Sequence, residues 1–276
     1  MEPRRPSRGA DDGRPDDGRS SIATTYFTPA PPRVLAHRGL QLDAPENTML
    51  AFEQAFALGV THLETDVHAS KDGVAVIVHD GDLKRTAQRP VRVEQLTLAE
   101  LREIDLGQGQ TVSTLAELLA AFPTARFNID IKAAAAAEPA ANDIIAAGAV
   151  ARVLITSFND KRRRAATDRM PGVATSASAP AFVSALIAAR LAIAPLARWL
   201  LRNVDAVQIP ERIAGFRTVT ARTVRTFHSA GLEIHVWTVN DAPSMRKLYG
   251  RGVDGIFTDR ADIALAVLRE SFSRAR

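Results

Sequence analysis

Two segments with the apolar, β-branched composition of strands carry acids where a buried strand normally carries none. They are Thr61-His62-Leu63-Glu64-Thr65-Asp66-Val67 and Phe127-Asn128-Ile129-Asp130-Ile131-Lys132. Residues two apart share a strand face, so Glu64 and Asp66 project together, as do Asn128, Asp130 and Lys132, while Leu63, Val67, Phe127, Ile129 and Ile131 face the other way. Unpaired carboxylates in an apolar interior are costly or shift their pKa, so a positive partner is required. Three oxygen-bearing side chains converging on one point suit a hard divalent cation, Mg²⁺ or Ca²⁺. Buried ion pairs with arginines are the alternative.

Two further segments supply proton-transfer and anion-binding groups. Asp72-Gly73, set between Val67–Lys71 and Val74–Val78, is a strong hairpin signal. A two-residue turn would pair Lys71 with Val74 and carry His79 back to a place opposite Asp66. Upstream, a strand candidate ends in His37-Arg38-Gly39 before Pro45-Glu46-Asn47-Thr48. A histidine trades protons near neutral pH, arginine presents a fork matched to phosphate oxygens, and glycine permits close backbone approach. Ser157 lacks a Gly-x-Ser-x-Gly elbow, so it reads as a strand-end contact rather than a nucleophile.

The elements that must position these residues alternate strand and helix, the pattern of a parallel α/β fold. Strand candidates lie at 34–37, 61–68, 126–131, 152–157, 172–175, 205–209, 233–238 and 254–258, the number that closes a barrel. Helical patterns lie between them at 47–58, with Asn47 as N-cap, and at 112–122, 138–147, 160–167, 181–202, 218–230 and 243–249. Residues 69–110 are too many for a βα loop and read as an insertion on the catalytic face. Residues 1–30 read as a disordered tail and 31–276 as one domain, because residues 1–20 are mostly Arg, Asp, Gly, Pro and Ser.

Composition narrows the function. With no cysteine among 276 residues, disulfides, thiolate metal sites and cysteine nucleophiles are excluded. The net charge of +4 comes from scattered arginines and suits anionic small molecules rather than a nucleic-acid surface. Nothing in residues 1–30 resembles a secretory signal, and Ala181–Leu201 is interrupted by Arg190 and Arg198, so a cytoplasmic location is expected. The 181–202 helix is expected either to pack on the core or to lie at a membrane interface.

Taken together, the chain resembles the glycerophosphodiester phosphodiesterases, a family of the barrel superfamily that includes phosphatidylinositol-specific phospholipases C. The resemblance rests on His37-Arg38-Gly39, Pro45-Glu46-Asn47-Thr48, Glu64-x-Asp66, Lys71-Asp72-Gly73-Val74, His79-Asp80, Asn128-Ile129-Asp130-Ile131-Lys132, Ser157-Phe158, His235-Val236-Trp237-Thr238-Val239-Asn240 and the Gly252 to Arg260 segment, spanning about residues 33–265 in family order. It implies a TIM-type (β/α)8 barrel that hydrolyses glycerophosphodiesters to glycerol 3-phosphate and an alcohol with one divalent cation at the strand ends.

Carried over residue by residue, the resemblance implies Glu64, Asp66 and Asp130 as metal ligands, Asp130 standing where the family more often has Glu. It implies His37 and His79 as the acid/base pair and Arg38 and Lys132 at the phosphate, with Glu46 receiving a hydrogen bond from ligand or catalytic group and Trp237 walling the glycerol. The implied route is attack by the glycerol 2-hydroxyl to form a cyclic phosphate, which water then opens. Rival readings are a lysophospholipase-D-like activity on acylated substrates, an enolising metalloenzyme, and a catalytically silent barrel used for binding. Head group, the choice between Mg²⁺ and Ca²⁺, the roles of the two histidines and oligomeric state stay open at this level.

Overall fold

A computed structural model of the chain describes residues 24–213 and 215–274. The first part of the expected tail, residues 1–23, lies outside the described residues. Residues 24–30 depart from the expectation of disorder, because Tyr26 and Phe27 give this stretch aromatic surface to bury. Tyr26 is fully buried, with its backbone N–H donating to the Ala151 carbonyl (3.0 Å) and its ring meeting His62 edge-on at 5.2 Å. Its hydroxyl reaches Asn128 Oδ1 at 3.4 Å, so this side chain plugs the barrel from the end opposite the strand termini that carry the acids.

Nine strands make the main sheet: β1 (Arg33–His37), β2 (His62–Ala69), β3 (Ala75–Ile77), β4 (Arg126–Ile131), β5 (Val153–Thr156), β6 (Ala174–Thr175), β7 (Ala206–Pro210), β8 (Glu233–Trp237) and β9 (Gly255–Thr258). Eight run parallel in the order β6-β5-β4-β2-β1-β9-β8-β7, and a bridge from Ser176 to Ala206 joins the two ends. Helices cover the outside, where Ala36, Leu63, Phe127, Ile129, Val207 and Ile256 form one continuous apolar core with them. This is the expected (β/α)8 barrel, with β3 as the extra antiparallel strand. No helix among the described residues is long and apolar enough to cross a membrane.

Strand register sets the site. His37 of β1 lies beside Glu64 of β2, Glu64 lies beside Asn128 of β4, and Asp66 lies beside Asp130. Side chains paired across parallel strands point the same way, so one register brings an imidazole, an amide and three carboxylates to the barrel mouth.

Three local expectations are corrected. The hairpin pairs Ala69 with Ala75, so Asp66 faces Val78 rather than His79. Its loop is Lys71-Asp72-Gly73, because Ser70 Oγ accepts from the Val74 N–H and donates to Asp72 Oδ1, and Gly73 supplies φ +78°. Asn47 is not the N-cap of helix Met49–Ala57. Thr48 is, and Asn47 is buried at φ +55° with its amide on Asp66. The 181–202 segment is two helices, Ala179–Arg190 and Ala194–Leu200, broken at Ala192 with φ +57°.

The 69–110 insertion folds beside the barrel around its own small core of Val76, Val78, Leu83, Val93, Leu101 and Leu106. Helix Leu98–Arg102 within it is held by a full capping box of Thr97 and Glu100. That core anchors the strand leading to His79.

Candidate active site

A cavity of about 410 Å³ opens at the carboxyl ends of the barrel strands. His37, Arg38, Glu64, Asp66, His79, Asp130, Lys132 and Trp237 all line it. Glu46 does not line it: it sits behind Arg38, bonded to Arg38 (3.1 Å) and to both terminal nitrogens of Arg85 (2.8 and 2.6 Å). Of the two expected roles, contact with a ligand or orientation of a site group, this geometry is the second: Glu46 holds the guanidinium groups of Arg38 and Arg85. Those guanidinium groups, Arg85 first and then Arg38, overcome its burial and keep its carboxyl below the usual range.

Each imidazole is held by a carboxylate. His37 Nδ1 is 2.7 Å from Asp259 Oδ1, and Asp259 is fixed in turn by Gln41 Nε2 (3.0 Å) and Asn240 Nδ2 (2.7 Å). His79 Nδ1 is 2.7 Å from Asp80 Oδ1, and Arg85 holds the other oxygen of Asp80 at 2.7 Å. With Nδ1 engaged, Nε2 is the nitrogen left to exchange a proton in the cavity. Burial disfavours the charged form of His37, but Glu64 and the bond to Asp259 outweigh it and raise its pKa.

The backbone around Arg38 is locally strained to aim this group. Arg38 has φ +56°, and its N–H donates to Glu64 Oε2 at 3.0 Å while its Nε lies 3.2 Å from Asp66 Oδ2. Gly39 follows at φ +86°, pressed so closely on helix Met49–Ala57 that a Cβ there would lie 2.6 Å from Ala51 Cβ. The turn is thus fixed by packing rather than left to the loop.

The three acids line one cavity, yet they are not gathered on one point. Lys132 Nζ stands between Asp66 Oδ1 (2.9 Å) and Asp130 Oδ2 (2.7 Å), and among the described residues no trio of acids or histidines is close enough to hold an ion. The physical reason is that Lys132, on the same face of the strand as Asp130, brings its own ammonium into the acidic pair. Lys132 and Arg38 outweigh burial and hold Asp66 below its usual range. Glu64 goes the other way: burial first, and then the neighbouring Asp66, push its pKa up. Burial also raises Asp130, whose Oδ1 is buried with no hydrogen-bond partner.

The residue types, though not their present spacing, fit a hard cation. The donor set is all carboxylate oxygen, one buried oxygen is unsatisfied, and burial disfavours the charged forms of Glu64 and Asp130, which a positive ion would favour.

The remaining walls are of two kinds. Asn128 and Gln208 form a polar floor, with Gln208 Nε2 bonded to Asn128 Oδ1. Opposite the acids, Trp237 meets Phe158 edge-on at 5.9 Å, and Phe158 also lies 5.9 Å from Lys132 Nζ. Asp259, Asp80 and Asn128 lie inside motifs of the sequence that give them no individual role, Asn47 is expected there only as a helix cap, and Gln208 carries no signal in the sequence. His62 and His235 are buried lower in the barrel, bonded to the Tyr26 carbonyl and to Glu233. Ser157 donates to the Ile131 carbonyl at 2.7 Å, a structural contact.

Comparison with known proteins gives the family of the chain. The model of the glycerophosphoryl diester phosphodiesterase family matches residues 37–263. The chain is 44% identical over 236 residues to a probable glycerophosphodiester phosphodiesterase 2 of Mycobacterium tuberculosis, covering 85% of this chain and 89% of that one. Among solved structures, a putative glycerophosphoryl diester phosphodiesterase of Silicibacter pomeroyi superposes with a TM-score of 0.74 at 23% identity, over 88% of this chain and 95% of that one. A phosphodiesterase of Oleispira antarctica, solved with its product sn-glycerol-3-phosphate, gives a TM-score of 0.68 at 26% identity, over 86% and 97%. By its matched residues and its relatives, the chain belongs to the glycerophosphoryl diester phosphodiesterase family.

Proposed function

We propose that the protein hydrolyses glycerophosphodiesters to glycerol 3-phosphate and an alcohol, using His37 and His79 as a proton-transfer pair. The observation that carries this is the pair itself: two imidazoles in one cavity, each tied through Nδ1 to a carboxylate at 2.7 Å. Glu64, Asp66 and Asp130 are the residues that would hold a divalent cation, Mg²⁺ or Ca²⁺. When bound, such an ion neutralises phosphate charge and acidifies a hydroxyl group.

The chain's own residues carry the rest. A phosphodiester is an anion that repels nucleophiles and leaves a poor alkoxide, so charge must be offset and a proton delivered. Arg38 and Lys132 present cationic donors to the phosphate oxygens, Arg38 being steadied by Glu46. One histidine removes the proton of the glycerol 2-hydroxyl as its oxygen bonds to phosphorus. The other donates a proton to the departing alcohol, giving a cyclic phosphate. Water then opens the ring with the proton traffic reversed, which returns both imidazoles to their starting states. Trp237 and Phe158 wall the glycerol and exclude water from that side.

A second reading, lysophospholipase-D-like hydrolysis of acylated substrates, draws on the apolar flank formed by Phe182, Val183 and Ile213. Glycerol 3-phosphate release from glycerophosphocholine, glycerophosphoethanolamine and glycerophosphoinositol, run beside choline release from lysophosphatidylcholine, separates the two. Turnover of the soluble diesters is expected. Turnover of the acylated substrate alone would favour the second reading, and none on any diester would favour a binding module.

A further inference from the structure

The outer face of helix Ala179–Arg190 has the wrong composition for water. Its buried side packs Phe182, Ala185 and Ala189 on the barrel, as a surface helix should. Its opposite side carries Val183, Ile187 and Leu191, spaced four apart, and these are 50%, 59% and 65% exposed. A helix that is apolar all round belongs against a second apolar phase. The helix that packs beside Ala179–Arg190 exposes Trp199 (60%), and Phe216 (67% exposed) lies with its ring 5.8 Å from the Arg190 guanidinium. The near end of this apolar patch is the cavity mouth, since Val183 lines both.

The chain segments that carry this patch hold charge of one sign. No Asp or Glu occurs between Asp168 and Asp205, nor between Glu211 and Glu233, whereas Arg190, Arg198, Arg202, Arg212, Arg217 and Arg222 all fall there. Arg190, Arg202, Arg212 and Arg222 donate to backbone carbonyls of the patch. The nearest acid in sequence, Glu211, is engaged by Lys247 at 2.8 Å. Arg202 also stacks over Trp199 at 5.1 Å, the arrangement of an amphipathic pair at a lipid boundary, with aromatic and aliphatic bodies below and guanidinium groups level with head groups. A second copy of the chain is disfavoured as the occupant, because a two-fold contact through this face would set arginine against arginine with no acid to separate them.

We propose that this face, helices Ala179–Arg190 and Ala194–Leu200 with the paired strands Arg212–Ile213 and Phe216–Arg217, docks the protein on an anionic lipid bilayer and turns the cavity mouth toward it. Apolar side chains enter the boundary region while the arginines meet lipid phosphates. The inference goes beyond the phosphodiesterase reading and does not depend on it.

The test is vesicle flotation of the full-length protein. Flotation is expected with vesicles of phosphatidylcholine plus phosphatidylglycerol, little is expected with phosphatidylcholine alone, and bound protein should fall as salt is raised. The double variant Ile187→Asp/Leu191→Asp should lower the bound fraction about tenfold or more while its rate on soluble glycerophosphocholine stays that of wild type. If that variant does not fold, Trp199→Ser with Arg198→Gln reads the same face. No flotation with anionic vesicles, or flotation equal in wild type and variant, overturns the proposal. So does sedimentation equilibrium showing a wild-type dimer that the double variant abolishes.

Discussion

His37 and His79 are useful only if their rings are held, and each is held by one carboxylate at 2.7 Å. General acid/base groups contribute about 10²–10⁴-fold each, so His37→Ala and His79→Ala should each lower kcat by that order with KM little changed. Near-wild-type kcat in both would remove the assignment. Asp259→Asn keeps the size of the side chain but alters which nitrogen of His37 carries the proton. It should lower kcat by about 10-fold to 10⁴-fold, the upper figure being the effect of a wrong tautomer, and leave KM within a few-fold. An effect on KM alone would make Asp259 a substrate contact instead. Both histidines were legible in the sequence because each closes a strand-like run. Asp259 was visible only as part of a motif, since it is 222 residues from His37 and only the neighbouring positions of β1 and β9 bring them together. The place of Lys132 between Asp66 and Asp130 was likewise only half legible: face-sharing with Asp130 follows from period two, whereas reach to Asp66 depends on the register of β2 and β4.

Elements show where pattern reading stops. All eight barrel strands were marked by their apolar runs, because strands buried against helices must be apolar on that side. The hairpin was legible as Asp72-Gly73, yet its register slipped by one because the Ser70 hydroxyl, not the backbone alone, closes the turn. Asn47 looked like a cap since Asn commonly caps helices. Burial beside Asp66 and Thr65 gave it a different task. The N-terminal plug also makes a testable acid sensitivity. His62 is buried against Tyr26, and burial pulls its pKa down to about 3 from an ordinary 6.5. The unfolded chain therefore binds a proton that the folded chain does not, between those two values, and stability falls as pH drops from 6.5 toward 3. His62→Leu should flatten that part of the denaturation-versus-pH curve. At neutral pH it should lower stability by about 1–3 kcal/mol, because the Tyr26 carbonyl loses its partner. An unchanged slope would mean that His62 does not titrate in folding.

At the scale of the whole molecule, closing eight strands gathers residues scattered from His37 to Phe257 at one mouth and leaves the opposite end to be plugged by Tyr26. The buried acids are accommodated in two ways: Lys132 and Arg38 hold Asp66 in its charged form, and burial pushes Glu64 and Asp130 toward their neutral forms. A ligand that binds only the folded state stabilises it by about 2.7 kcal/mol at 100 times its Kd, so Mg²⁺ or Ca²⁺ should raise the Tm of wild type and raise that of Glu64→Gln/Asp66→Asn much less. No shift in wild type would count against an ion among these acids. The most direct measurement is glycerol 3-phosphate release from glycerophosphocholine by protein stripped with EDTA, before and after divalent cation is returned. Loss of turnover on stripping and its recovery with Mg²⁺ or Ca²⁺ is the expected result. Full turnover in the stripped protein would contradict a cation held by Glu64, Asp66 and Asp130.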